Sequence, residues 1–337
     1  MTETSQQHTA HPRPDAPAQR EWWRRTAAWF SWQRGRVLAV LGFLLTLVIA
    51  FPGVVPNTGL NAGSFLESFR PWLGLLVLPL AVLAFLRRSA PASLAAALCV
   101  AVWLAAFGGQ LVPGKGGGNG DLRVVTHNVD ADTKDVAGIS RKLIASRADV
   151  LALEKIAENS AAEYRKALAS AYPHHAVIGT VGIWSKYPLT ETRPVNMVPY
   201  WVRAIRSVVH TPRGDLAVYA VHMPSVRVHA DTGFDVDQRN AAVRRLGDAL
   251  DADPARRIVV MGDFNGSTDD RALRPVTSRM TSAYASAGTG FGFTWPSAFP
   301  MVRIDQILVR GVTAVNAEVL PATASKHLPL AAELKLS

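Results

Sequence analysis

The sequence predicts a two-sheet α/β domain preceded by three apolar helical spans, and three observations predict it. Charged residues make up 18% of the 337 positions against 49% hydrophobic ones, short of the roughly 25% charge of soluble domains. In the first third, apolar residues gather into runs at 37–55, 71–86 and 92–112, near the ~20 residues that cross a bilayer core. From residue 121 onward, short β-branched runs alternate with helical stretches, the pattern of sheets covered by helices.

Residues 1–36 form a basic tail, and the first 20 carry Thr, Gln, His, Pro and Ala with no apolar period; such a segment has too little apolar surface to order itself. A cleaved signal peptide is the rival reading of the first run. Its basic leader is too long and no small-x-small site follows, so a retained anchor is expected. The later runs are apolar on every side, as lipid-exposed or fully buried helices are. Arg20, Arg24, Arg25, Arg34 and Arg36 precede the first run, and Arg87 and Arg88 separate the second from the third. Basic loops stay in the cytoplasm. The N-terminus is therefore expected inside, and three crossings would deliver the remainder outside. Trp22, Trp23, Trp29 and Trp32 fit an interfacial belt. Residues 113–120, with five glycines, read as a flexible linker to a domain at 121–337.

Charge excludes little by itself. Residues 1–120 hold 10 Lys and Arg against 4 Asp and Glu, a net +6; residues 121–337 hold 26 against 22, a net +4. The second part is too evenly charged to advertise a phosphate-backbone groove. Cys99 is the only cysteine, so neither an intrachain disulfide nor a thiolate metal cluster can form.

Strands are expected at 122–129, 148–156, 175–185, 204–211, 215–223, 257–265 and 303–310. Helices are expected at 139–146, 161–171 and 237–250. Polar residues collect at the strand ends: Asn128 and Asp130, then Glu154, His222, Asp263 with Asn265, and last Asp305 and His327. Taken singly they are weak signals. Asn128 and Asp130 read as turn-capping residues, Glu154 as a surface group or hard-cation ligand, and His222 as a core or rim histidine. Gly262-Asp263-Phe264-Asn265 is sharper, because a buried strand that ends in Gly and then presents two polar side chains is unusual.

In order, these segments resemble the motifs of the endonuclease/exonuclease/phosphatase family. Thr126-His127-Asn128-Val129-Asp130 resembles its asparagine motif, Leu153-Glu154 its metal-binding glutamate, and Val221-His222-Met223-Pro224 its central histidine. Gly262-Asp263-Phe264-Asn265 matches the core signature. Arg303-Ile304-Asp305-Gln306-Ile307 and Ser325-Lys326-His327-Leu328-Pro329 resemble the last two. The resemblance implies a four-layer two-sheet sandwich and a metal-dependent phosphoesterase. It implies Mg²⁺ or Mn²⁺ held by Glu154, with Asn128 and Asp130 in its shell. Asp263 would orient or deprotonate water, and Asn265 would hold that water or a phosphate oxygen. His327, positioned by Asp305, would bond the phosphoryl group, and His222 would assist. One position departs: the family has Asp before its final histidine, whereas this chain has Lys326, which puts a second cation site in doubt.

Three spans before such a domain resemble the VanJ group of actinobacterial membrane proteins, associated with glycopeptide resistance. That layout implies a membrane-lipid phosphate or pyrophosphate as substrate, such as a polyprenyl carrier of the cell-wall cycle. Two rivals stand beside it: a tethered nuclease, which the charge balance disfavours, and an inactive module that binds lipid phosphate. The loop 224–237, with Arg227, His229 and Phe234, is where substrates would be told apart.

Overall fold

The computed structural model describes residues 34–58, 61–112, 116–229 and 233–336; the expected tail, its four tryptophans and part of the linker lie outside these. Two compact units result. One gathers the described residues up to 46 with 74–101, the other those of 47–73 with 102 onward.

The N-terminal helices correct the expectation of three spans. Helix α1 (Arg36–Ala50) has 15 residues, about 22 Å at 1.5 Å per residue, against a bilayer core of about 30 Å. It stops short because Pro52 opens a 3₁₀ turn over Pro52–Val54. Helix α2 (Ala62–Ser68) follows. The second expected span begins as a 3₁₀ stretch, Arg70–Leu76, and becomes α-helical only over α3 (Val77–Leu86). Pro71 lacks the N–H and Gly74 adds backbone freedom, and the path bends by 80° between α2 and this stretch. Among the described residues, only α4 (Ala90–Leu111), with 22 residues, is by itself long and apolar enough to cross a membrane.

The large unit is built on two mixed sheets. Strand β1 (Leu122–Asn128), helix α5 (Val136–Ala145), β2 (Val150–Glu154) and α6 (Glu158–Leu168) come first. A hairpin of β3 (His174–Ile178) and β4 (Val181–Ser185) follows, then β5 (Leu189–Pro194), β6 (Ala204–Thr211) and β7 (Gly214–His222). The short pair β8 (Arg227–His229) and β9 (Gly233–Asp235) leads into α7 (Asp237–Asp251) and β10 (Ile258–Asp263). Next come α8 (Arg274–Thr277), β11 (Thr281–Ser282), α9 (Ala283–Ala287), β12 (Asp305–Arg310), β13 (Thr313–Val319) and β14 (Leu330–Lys335). One sheet runs β13-β14-β1-β2-β4-β3, the other β11-β12-β10-β7-β6-β5.

Alternation decides the layers, since residues two apart along a strand share a face. Val124, Ala152 and Ile183 of the first sheet meet Val218, Met261 and Ile307 of the second in a common core. The opposite face of the first sheet, Val125, Leu151 and Leu153, is covered by Ile139 and Leu143 of α5 and Tyr164 and Leu168 of α6. Tyr219, Val221 and Val260 of the second sheet lie under Ala242, Val243 and Leu246 of α7. The result is a sandwich of two sheets between helices. The expected strands all form, but the run 175–185 is a hairpin rather than one strand, because the chain turns at Gly179 with φ +62°. Strands β5, β8, β9, β11, β13 and β14 are outside the expected set: β5 is polar and mostly exposed, and β14 opens on a buried Leu-Ala-Ala run with no β-branched residue to mark it.

Candidate active site

Strand register brings the polar residues together. In the first sheet β1 and β2 are parallel and Asn128 pairs with Glu154. In the second, Asp263 at the end of β10 lies between His222 of β7 and Asp305 of β12. The two sets face each other at one end of the sandwich. Gly262 makes the approach feasible: its φ is +147°, and a Cβ there would lie 1.8 Å from the carbonyl oxygen of Val221. No other residue fits between these strands.

Asp263 is the hub. Its Oδ1 accepts from the Asn265 N–H at 2.8 Å, while Oδ2 accepts from Asn128 Nδ2 at 2.8 Å and Asn265 Nδ2 at 3.3 Å. His222 Nε2 and His327 Nε2 each stand 3.9 Å from Oδ2. Burial pushes the Asp263 carboxyl up to about 6, with His327 working against that rise. Asp305 holds His327 Nδ1 at 3.0 and 3.2 Å. Burial alone would lower the His327 pKa, but the carboxylates of Asp305 and Asp263 outweigh it and raise it to about 9. His222 behaves oppositely: burial, then the Arg203 guanidinium, drive its pKa well below the ordinary value. Arg203 Nη2 donates to its ring, 2.8 and 3.0 Å from the two nitrogens. The site therefore holds one cationic and one neutral imidazole at neutral pH.

The three residues expected as metal ligands fare differently. Glu154 is fully buried; Oε1 accepts from Thr126 Oγ1 at 2.8 Å, and Oε2 has no partner. Burial raises its pKa well above the carboxylate range, with Asp305 and Asp263 adding to the rise. An unpartnered buried carboxylate oxygen is costly unless a cation satisfies it, so Glu154 fits a divalent metal. Asn128 instead bridges the sheets, its amide donating to Asp263 while its oxygen accepts from the Asp130 N–H at 3.0 Å. Asp130 is clamped by Lys155 at 2.7 Å and Lys326 at 3.0 Å. Burial would raise its pKa, yet the two ammonium groups bring it below the ordinary range. Among the described residues, Asp263, Asp305 and His327 also bring ligand atoms within 4.8 Å of one another. An all-oxygen and imidazole set of this kind suits a divalent cation without thiolates.

Several participants were not legible beforehand. Arg203 had no motif around it, and Ser325, whose Oγ donates to the Asn128 carbonyl at 2.6 Å and accepts from the His327 N–H at 3.1 Å, was hidden inside the final motif. Lys326 stands 67% exposed yet tied to Asp130 and, at 3.7 Å, to Asp132. A cavity of about 340 Å³ opens over the cluster. From the loop singled out for substrate choice, Phe234 reaches its wall.

Comparison with known proteins agrees with this fold. A search of curated proteins finds no match. Solved structures of similar fold include an endonuclease/exonuclease/phosphatase from Beutenbergia cavernae, 20% identical with TM-score 0.51 over 65% of this chain and 72% of that one. An endonuclease/exonuclease/phosphatase from Bacteroides vulgatus is 19% identical, TM-score 0.54, over 64% and 99%. A mannosyl-6-phosphatase from Bacteroides thetaiotaomicron is 15% identical, TM-score 0.52, over 64% and 99%. The model of one family matches residues 125–327, the stretch that carries every polar residue of the cluster, and the chain belongs to that family, the endonuclease/exonuclease/phosphatase family.

Proposed function

We propose that this protein is a membrane-anchored, Mg²⁺-dependent phosphoesterase whose catalytic domain lies outside the cytoplasm. The observation that carries the catalytic reading is the unpartnered Glu154 Oε2 beside the buried Asp263, Asp305 and His327 cluster. Glu154, with Asp263 or Asp305 near it, would hold a divalent cation, which supplies charge neutralisation to the phosphoryl oxygens when bound. Asp263 takes the proton of the attacking water as its oxygen bonds to phosphorus and the ester phosphorus–oxygen bond breaks, the departing oxygen taking a proton from solvent; Asn265 and Asn128 keep that carboxylate aimed. His327, held cationic by Asp305, donates to a phosphoryl oxygen as charge builds there. His222, kept neutral, orders the opposite side with Arg203.

Attachment to a membrane is supported by apolar surface. Leu41, Phe43 and Leu44 of α1, Leu78, Val82 and Phe85 of α3, and Leu94 and Leu98 of α4 are exposed, far more than a soluble surface tolerates in one place. The arginines at 34, 36, 87 and 88 keep their ends inside, so the chain leaves α4 on the outer side. An anchor of this kind tethers the site within reach of lipid headgroups, which favours a lipid phosphate or pyrophosphate such as a polyprenyl carrier of the cell-wall cycle.

The test is phosphate release from polyprenyl pyrophosphate by the full-length protein in detergent. Release is expected with Mg²⁺ or Mn²⁺, none with a chelator, and none from an Asp263→Ala, His327→Ala double variant. Release that survives chelation, or no release from a folded preparation, sinks the reading.

One observation favours a nuclease as the second reading. Beside the cluster a groove is lined by Lys155, Arg203 and Arg227 with Trp201, and Arg203 sits 5.0 Å over the Trp201 ring, a pairing suited to a stacked base on a phosphate chain. Steep loss of binding to single-stranded DNA as salt rises would support it. The inactive-module reading finds no missing member of the cluster.

A further inference from the structure

The family match begins at residue 125, yet two residues far upstream of it line the catalytic cavity. Phe65 and Phe69, from α2 and its C-terminal end, share that cavity with the apolar Phe234, Trp295, Val302 and Ile304 and with the polar Asp263, His327 and Asn265. Phe65 and Phe69 have ring centroids 4.9 Å apart, and Phe234 meets Phe65 edge-on at 5.6 Å. Phe65 remains 47% exposed and Trp295 38% exposed. Apolar rings left open beside buried carboxylates and imidazoles are unusual unless something apolar covers them.

The wall is fixed in place. Glu67, next to these rings and 3% exposed, accepts from Arg271 Nε at 2.7 Å and from the Arg271 backbone N–H at 2.9 Å. Ser64 Oγ donates to Asp270 at 3.2 Å and Trp72 Nε1 to the Met301 carbonyl at 2.7 Å. Helix α2 is thus part of the catalytic unit, and its aromatic face is held within the same cavity as the reacting groups.

We infer that Phe65 and Phe69, with Phe234, form a subsite for an apolar chain that begins directly at the phosphate, so that the site selects alkyl-type phosphate esters by chain length. This rests on the phosphoesterase reading for the phosphate end of the cavity and adds what occupies the other end. The three residues determine specificity and do not touch the reacting atoms. A bare sugar phosphate or nucleotide would leave these rings uncovered. An amphiphile gains roughly fourfold in affinity for each methylene buried.

Hydrolysis must be kept out of the measurement, so the probes are ethylphosphonate and hexylphosphonate, whose carbon–phosphorus bonds do not hydrolyse. Binding to the full-length protein in nanodiscs with Mg²⁺ is read by calorimetry. The wild type is expected to bind hexylphosphonate at least about tenfold tighter than ethylphosphonate. A Phe65→Ser, Phe69→Ser variant should bring that ratio near one with ethylphosphonate still bound, and Phe234→Ser, whose ring meets Phe65 edge-on but comes from a separate segment, should lower it as well. A wild-type ratio near one, no binding of either probe, or an undiminished ratio in both variants overturns the inference. A chain-selective protein that releases no phosphate from any ester would sink the hydrolase reading and leave the subsite standing. Active enzyme with no chain preference would do the reverse.

Discussion

Replacing His327 with alanine is expected to lower kcat by about 10²–10⁴-fold, the span usual for a positioned proton donor or acceptor. The expectation comes from its placement: Nδ1 is held by Asp305 at 3.0 Å and Nε2 faces Asp263 across 3.9 Å. With its pKa raised to about 9, the ring stays an imidazolium at neutral pH, ready to donate to a phosphoryl oxygen. Activity in the wild type should therefore fall as pH rises through about 9. Asp305→Asn removes the principal charge that sustains the cation, so the alkaline limb should move to lower pH with the fold retained. The same shift has a stability consequence of definite sign. A histidine whose folded pKa exceeds its ordinary 6.5 adds stability that is complete below 6.5 and lost as pH rises through 9. Melting curves of the wild type against His327→Ala across that window check it. A variant within about threefold of wild-type kcat, or a profile flat through the alkaline range, would remove His327 from the chemistry.

The second large effect concerns stability. Arg239 and Asp270 form an ion pair at 2.7 Å in which both side chains are 0% exposed. Burial lowers the Arg239 pKa, while Asp270 works to restore it. Arg239→Met leaves Asp270 buried without its counter-charge, and a cost of about 3–5 kcal/mol follows for a broken buried pair. At about 2–4 °C per kcal/mol for a chain of this size, a large fall in Tm is expected. Arg239→Met with Asp270→Leu should recover much of it, because the desolvated charge goes too. The pair also links distant parts. Asp270 holds Ser64 of α2, and Arg239 Nη1 donates to the Asn265 carbonyl at 3.1 Å. A loss below about 1 kcal/mol in the single variant would show the pair to be dispensable.

Sequence reading reached the polar cluster because each member sits at a strand end within a recognisable local string. The Asp263 string also carries its own reason, since Gly262 is required by a contact of 1.8 Å that a side chain would make. It reached the helices of the sandwich nearly in place: 237–250 expected against Asp237–Asp251 found. It failed where local pattern is ambiguous. An apolar run measures hydrophobicity and not helix length, so Pro52 and Pro71 divided two expected spans into shorter or bent pieces. The partners of Asp130, which the family resemblance put in the metal's shell, lie outside any local pattern: Lys155 and Lys326 are 25 and 196 positions away.

What the sequence by itself determined is the list of reacting groups, the alternation that makes two sheets, and the charge asymmetry around the apolar runs. Those are local properties, set by side-chain chemistry and spacing along one chain. Only the tertiary structure decided which groups act together. Parallel pairing of β1 with β2 and of β7 with β10 set Asn128 beside Glu154 and His222 beside Asp263. Packing of sheet on sheet then placed Asn128 against Asp263, and the fold brought Phe65 to the wall of a cavity whose catalytic residues begin more than sixty positions later. Proximity of that kind arises from pairing register and core packing, and neither is written in any single segment.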